Sequence, residues 1–207
     1  GTGSFALGVD SVASGENSFS FGGLAQGESS NSLGSSSSAV GLGSTALGPS
    51  AYAGGVGSFA LSLGIVHDDA FWGISLSPSS PSTANYAMAG GLLSSATSQM
   101  SVAIGQNAIA GSDDSTKWGD SFTSASNVGN WSIGKETSAS SKWSMAMGYE
   151  SIANGDYSLA MGYETCASSI GAVAMGNQTF ATGQNSLVIG TSSTIYGNNS
   201  CGIGDNN

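Results

Sequence analysis

Small side chains recur on alternate positions of this chain with a period of seven residues. Triplets of Ser, Ala or Gly begin every seventh residue, as in Ser4, Ala6, Gly8 and then Ser11, Ala13, Gly15. The phase continues to Gly64, returns shifted by one residue from Gly73 to Ser112, and shifts again for the block from Thr123 to Gly204. A period of two inside a period of seven predicts short strands separated by turns, and its recurrence predicts a solenoid.

The residues between the small ones alternate between apolar pairs and polar or mixed pairs, so the full repeat is fourteen residues. Side chains alternate in direction along a strand, so the small residues share one face and the intervening pairs share the other. Two strands per fourteen-residue coil predict an all-β, flattened parallel solenoid. Its narrow lumen admits only small side chains, and one of its two sheets is apolar on the outside.

This apolar outer face predicts self-association, because an exposed apolar patch of such extent marks an interface. Nearly all of the chain lies inside repeats, which leaves no segment to cover the face, so a parallel ring of identical copies is favoured. The interface residues predicted in the C-terminal block are Trp131, Ile133, Met145, Met147, Leu159, Met161, Val173, Met175, Leu187 and Ile189.

The composition excludes several classes of partner. Charged residues make up 8% of the 207 residues, the formal net charge is −10, and the only cationic side chains besides His are three lysines. Such a chain lacks the basic clusters that bind nucleic acid or anionic membranes. No apolar run approaches the roughly 18 residues of a membrane helix. Because the chain begins in mid-repeat, we expect it to be a segment of a longer protein.

Two segments break the seven-residue phase. Residues 67–72 are predicted to be one residue short and residues 115–122 one residue long, as deformed coils within a single repeat domain that spans residues 1–207. The breaks hold His67, Asp68 and Asp69, and the trio Asp113, Asp114 and Asp120. Consecutive residues on an extended segment point in opposite directions, so we predict solvated loops and no metal or cofactor, with a calcium site as the alternative.

Aromatic side chains provide the candidate ligand contacts. Tyr149 and Tyr163 recur at the coil period beside Glu150 and Glu164, which predicts an aromatic–acid ladder at a turn edge. Such a ladder is either a structural stack or a platform for sugar rings or protein partners. Phe71 and Trp72 are expected on the break in the polar sheet. The predicted ligand-binding residues are Phe71, Trp72, Trp143, Tyr149 and Tyr163.

Catalysis is not expected. Nucleophilic serine chemistry needs an oriented base, and this chain has a single His without a spaced partner. Glu150 and Glu164 are fourteen residues apart, so they stack on one edge instead of facing each other across a groove, as glycosidase chemistry requires.

The repeat strings resemble a known family. Ser101-Val102-Ala103-Ile104-Gly105 and Ser144-Met145-Ala146-Met147-Gly148 are similar to the head repeats of trimeric autotransporter adhesins of the Yersinia adhesin type, as are the strings at 158–162 and 172–176. The resemblance covers almost the whole chain. It implies a left-handed parallel β-roll of doubled Ser-x-Ala-x-Gly-x-x units, and a head formed by three rolls as a homotrimer.

This resemblance implies an extracellular adhesin head that attaches to a host cell, matrix or surface by binding a surface protein or glycan. Similar heads occur in tail fibres of bacteriophages and contractile injection particles, so a fibre or spike segment is the alternative. A structural filament without a receptor is a third class.

Overall fold

The computed structural model of the chain describes residues 1–62, 64–66, 68, 70, 72–76, 81–106, 108–119 and 124–206. The described chain consists of short β-strands joined by turns and contains no helix. It divides into two compact units, Gly1–Asn107 and Ala108–Asn207. In each unit the odd-numbered strands form one parallel sheet, called here the odd sheet, and the even-numbered strands form a second, called the even sheet.

The first unit contains strands β1 to β15. Its odd sheet has β1 (Phe5–Leu7), β3 (Phe19–Phe21), β5 (Asn31–Leu33), β7 (Thr45–Leu47), β9 (Phe59–Leu61), β11 (Ile74–Ser75), β13 (Met88–Gly90) and β15 (Val102–Ile104). Its even sheet has β2 (Val12–Ala13), β4 (Leu24–Ala25), β6 (Ser38–Ala39), β8 (Tyr52–Ala53), β10 (Ile65–Val66), β12 (Pro81–Ser82) and β14 (Ser95–Ala96).

The second unit contains strands β16 to β29. Its odd sheet has β17 (Thr116–Gly119), β19 (Trp131–Lys135), β21 (Met145–Tyr149), β23 (Leu159–Tyr163), β25 (Val173–Asn177), β27 (Leu187–Thr191) and β29 (Cys201–Asp205). Its even sheet has β16 (Ile109–Ala110), β18 (Ser124–Ala125), β20 (Ser138–Ala139), β22 (Ile152–Ala153), β24 (Cys166–Ala167), β26 (Phe180–Ala181) and β28 (Thr194–Ile195).

The register confirms the predicted all-β fold of fourteen-residue coils. In the second unit, Met145 pairs with Leu159 and Leu159 with Val173, each fourteen residues further along the chain. The even sheet repeats with the same offset, as in the pairs of Ser138 with Ile152 and of Cys166 with Phe180. Each unit is therefore a parallel β-solenoid in which every coil adds one strand to each sheet.

The lumen of each unit is lined by small side chains, as the alternation predicts. In the second unit its apolar core is alanine from Ala139 to Ala181 with one larger residue, Val188, all fully buried. Serine and threonine hydroxyls bond across the lumen, for example Ser132 with Thr137 at 2.8 Å. Lys117 departs from this pattern, because it lies at a lumen position of β17 and is 3% exposed.

Glycine forms the corner where the odd sheet ends. Gly162 has a φ of 138°, and a Cβ built on it would lie 1.9 Å from the carbonyl oxygen of Gly176 in the next coil. Only a residue without a side chain fits there. The third residue of the odd-sheet triplets in this part of the chain therefore closes the corner, while the first two line the lumen.

The predicted unbroken phase from Ser4 to Gly64 is wrong. Val12 pairs with Leu24 and Phe19 with Asn31, so this coil is only twelve residues long. The corner before β4 consists of Gly22 and Gly23 alone, whereas the corner before β2 spans residues 8–11. Small residues lie on both sides of this shortened corner, so the triplet pattern in the sequence continues through it without a visible interruption.

The prediction that the break at 67–72 is one residue short is therefore also wrong. Phe59 pairs with Ile74, fifteen residues on, so the coil is one residue longer than usual and not one residue short. The coil that contains Gly22 and Gly23 is two residues shorter than the fourteen-residue repeat, so the predicted phase after it is displaced by two residues. At the second break, Thr116 pairs with Trp131, also fifteen residues on.

Candidate functional site

The outer face of the odd sheet in the second unit carries two apolar columns. One column is Trp131, Met145, Leu159, Val173 and Leu187, and the other is Ile133, Met147, Met161, Met175 and Ile189. These are the ten residues predicted to form the interface between copies. Trp131 is exposed and the other nine are half-buried by their neighbours in the same sheet. A contiguous apolar face of this size is available for contact with another surface.

A ladder of aromatic rings and carboxylates lies at the edge where the odd sheet turns into the even sheet. The rings of Tyr149 and Tyr163 stack with centroids 5.2 Å apart and planes 8° from parallel. The Nζ of Lys135 lies 5.3 Å from the centroid of the Tyr149 ring. The coil repeat therefore brings these two predicted residues together, and the cation extends the stack by one coil.

Each tyrosine of the ladder is hydrogen-bonded to the glutamate that follows it. The bond to Glu150, together with the charges of Glu150 and Glu136, raises the pKa of Tyr149 to about 12. The bond to Glu164 and its charge raise the pKa of Tyr163. The amide of Gln178 donates to Glu164 at 2.9 Å, and this bond, with that from Tyr163, lowers the pKa of the Glu164 carboxyl.

Glu150→Gln is expected to lower the pKa of Tyr149 from about 12 towards 10.0, the ordinary value for a tyrosine. The carboxylate disfavours the phenolate, and the amide carries no charge. A spectrophotometric titration at the phenolate absorption band measures the change. The same titration with Asp156→Asn, which removes a carboxylate outside the ladder, should match the unmodified protein. An unchanged curve for Glu150→Gln would contradict the assignment of the bond.

A shallow depression of about 250 Å³ adjoins this ladder and was not identified from the sequence. Its lining residues come from three consecutive coils: Glu164, Gln178, Phe180, Ser192 and Thr194. Phe180 pairs with Thr194 in the even sheet, while Glu164, Gln178 and Ser192 follow one another in the adjoining turns. The only sequence signal was an exposed aromatic residue in a sheet predicted to be polar.

Trp143 lies at the other edge of the same unit, in the turn that leads into β21. It is 54% exposed, and its ring lies over Gly129 of the preceding coil, where a Cβ would come within 2.4 Å of the ring. Trp143 and the Tyr149–Tyr163 ladder are therefore on opposite edges of the coil. The structure does not bring these candidate residues into one site.

Trp72 occupies the corresponding turn of the first unit and was placed wrongly by the sequence. It precedes β11 with a φ of 55° and lies over Gly57, so it is on an edge and not on the outer face of the polar sheet. Phe71, its predicted companion, lies outside the described residues.

The first of the predicted acidic breaks contains a side-chain contact. The hydroxyl of Tyr52 donates to the Asp68 carboxylate, which raises the pKa of Tyr52 to about 12. His67, Asp69 and Asp120 lie outside the described residues. In the part of the chain that the structure describes, no three His, Cys, Asp or Glu side chains are grouped as metal ligands.

Two parallel sheets of short strands, an alanine lumen and an apolar outer face define a β-solenoid built from head-type repeats. The chain belongs to the family of the YadA head domain repeat, the trimeric autotransporter adhesin heads, whose model matches residues 1–25, 39–61, 96–116, 133–165 and 167–193. Three of the unmatched stretches, 26–38, 62–95 and 117–132, adjoin or contain the coils of irregular length. Heads of this family form homotrimers, are exposed at the cell surface, and are typically structural rather than catalytic.

No curated protein matches the chain closely enough to indicate a relationship. Among the residues that the structure describes, there is no helix of the length and apolarity needed to cross a membrane.

Proposed function

We propose that this chain is an extracellular adhesin head that assembles as a parallel homotrimer and attaches to a host cell, matrix or other surface. The observation that carries the proposal is the pair of apolar columns on the outer face of the odd sheet. They run through at least five consecutive coils in constant register. Membership of a family whose heads are homotrimers supports three copies.

Burial of these columns favours assembly. A fully buried Leu, Met or Ile side chain contributes roughly 1.5–3 kcal/mol. Eight of the ten column positions on each protomer carry one of these residues, Trp131 and Val173 occupy the other two, and nine of the ten are half-buried before assembly. Their contribution is therefore about half of the full value per residue. Over three protomers the sum is of the same order as the cost of bringing the chains together, about 10 kcal/mol per association step.

The even sheet remains available to partners in such an assembly. Its outer face points away from the odd sheet and carries Ser138, Asn154 and Ser168 among a few apolar residues. A trimer presents three copies of every surface feature in parallel, so weak single contacts combine into avid attachment.

Attachment is expected to depend on the trimer. The purified chain should bind cultured host cells and immobilised matrix proteins, and a variant that dissociates to monomers should bind at least about 100-fold more weakly. Surface plasmon resonance on immobilised ligand and flow cytometry on cells measure the two cases. Failure of the trimer to attach to any surface tested, or equal binding by the monomer, would contradict the proposed function.

A further inference from the structure

We infer that the depression lined by Glu164, Gln178, Phe180, Ser192 and Thr194 is a binding site for a neutral sugar ring. This inference rests on the proposed function, because it names the class of receptor that the head recognises. The site lies at the edge of three consecutive coils in the second unit, beside the Tyr149–Tyr163 stack.

The depression combines the two kinds of contact that a pyranose ring needs. Phe180 is 40% exposed and lines the depression with its aromatic ring. The face of such a ring carries partial negative charge and attracts the C–H groups of a sugar. Four polar side chains surround Phe180. Such convergence of a few polar groups on an apolar surface is typical of small-molecule sites.

The polar groups are held in position before a ligand arrives. The side-chain amide of Gln178 donates to the Glu164 carboxylate at 2.9 Å. Backbone hydrogen bonds fix the turns that hold Gln178 and Ser192: the Gln178 N–H donates to the Tyr163 carbonyl and the Ser192 N–H to the Asn177 carbonyl, each at 2.8 Å. An ionised carboxylate accepts hydrogen bonds from adjacent hydroxyls, while the amide and the two hydroxyl side chains both donate and accept.

The size and charge of the depression select the ligand. A volume of about 250 Å³ is close to the lower end of the roughly 300–1,000 Å³ of small-molecule pockets, which is enough for one sugar ring. No lining residue is cationic, Glu164 is anionic, and the whole chain has a net charge of −10. Acidic sugars are therefore repelled, and neutral hexoses or N-acetylhexosamines are favoured.

The location is compatible with the proposed assembly. Phe180 and Thr194 belong to the even sheet, whose outer face is opposite to the apolar columns of the odd sheet. A copy packed against the odd sheet leaves this face accessible, and a trimer presents three such sites.

Saturation-transfer difference NMR on the intact chain in its native assembly tests the inference. The probes are the methyl glycosides of glucose, galactose, mannose and N-acetylglucosamine, with sialyllactose as the acidic comparison. We expect transfer to at least one neutral glycoside and none to the sialic acid protons.

Two variants and one control locate the binding. Phe180→Ala removes the ring, and Gln178→Asn retains a residue that tolerates positive φ while shortening the side chain that meets Glu164. Both should weaken binding at least about tenfold with unchanged circular dichroism. Ile152→Ala, two coils earlier in the same even-sheet column, should leave it unchanged.

The inference is overturned if no neutral glycoside binds, if binding survives in both variants, or if sialyllactose binds through its sialic acid. Attachment of the trimer to cells without any glycoside binding would remove this inference and leave the proposed function standing. Glycoside binding by a chain that attaches to no surface would contradict the proposed function and leave the sugar site standing.

Discussion

Ala160→Leu is expected to lower the melting temperature by about 10 °C or more, the largest effect on stability of any single substitution considered. Ala160 is fully buried in the lumen and pairs with Ala146 and Ala174 in the neighbouring coils. Overpacking of a filled core costs about 1–3 kcal/mol and sometimes more. The destabilisation should lie at the upper end of this range, because the lumen is closed by two sheets and its side chains stack in every coil.

Ser138→Leu is the matched control. Ser138 lies on the outer face of the even sheet between Ser124 and Ile152, where a leucine side chain extends into solvent beside another apolar residue. Its melting temperature should stay within about 2 °C of the unmodified chain, as for most surface substitutions. Circular dichroism during heating measures both variants. Similar melting temperatures would show that the alanine lumen is not the constraint that defines this fold.

Leu159→Asp combined with Leu187→Asp is expected to convert the assembly into monomers. The two residues belong to one apolar column of the odd sheet and are half-buried in the single chain. Their carboxylates would be removed from water on assembly, at a cost of several kcal/mol each. Because both positions are on the outer face, the coils themselves should remain folded.

The control for the added charge is Ser140→Asp with Ser168→Asp, on the outer face of the even sheet. It introduces the same two charges per chain on the face that the proposed assembly leaves exposed. This variant should stay assembled, and the odd-sheet variant should retain the circular dichroism of the unmodified chain. Dissociation of both variants to the same degree would indicate general charge repulsion and not a specific apolar interface.

Much of this architecture can be predicted from the sequence, because a strand has a strict period of two and a solenoid repeats every position. The alternation placed Ala146, Ala160 and Ala174 in the lumen and Met145, Leu159 and Val173 outside, as the registers show. Periodicity also placed the Tyr149 and Tyr163 rings in one stack.

Features that depend on the corners could not be predicted in the same way. The two-residue corner at Gly22 and Gly23 is hidden because serine, alanine and glycine fill every neighbouring position in either phase. Because this short corner was missed, the coil at 67–72 was predicted to be one residue short, whereas it is one residue long. Trp72 was misplaced for a related reason, since the turn that contains it is defined by backbone dihedral angles and not by side-chain alternation.

The depression at Phe180 illustrates a second limit. Its five residues come from turns and strands of three coils, and their convergence depends on how each side chain is oriented at the edge. Sequence spacing indicates that Glu164, Gln178 and Ser192 share a column, but it does not show that Phe180 lies beside them with its ring exposed.

The mass of the purified chain in solution, measured by multi-angle light scattering after size-exclusion chromatography, tests the central claim most directly. One chain has a mass of 20.3 kDa. A homotrimeric head predicts a single species of three times that mass, which the odd-sheet double substitution reduces to the mass of one chain. A stable single-chain mass for the unmodified protein at micromolar concentration would contradict the claim that the apolar columns form the interface of a trimer.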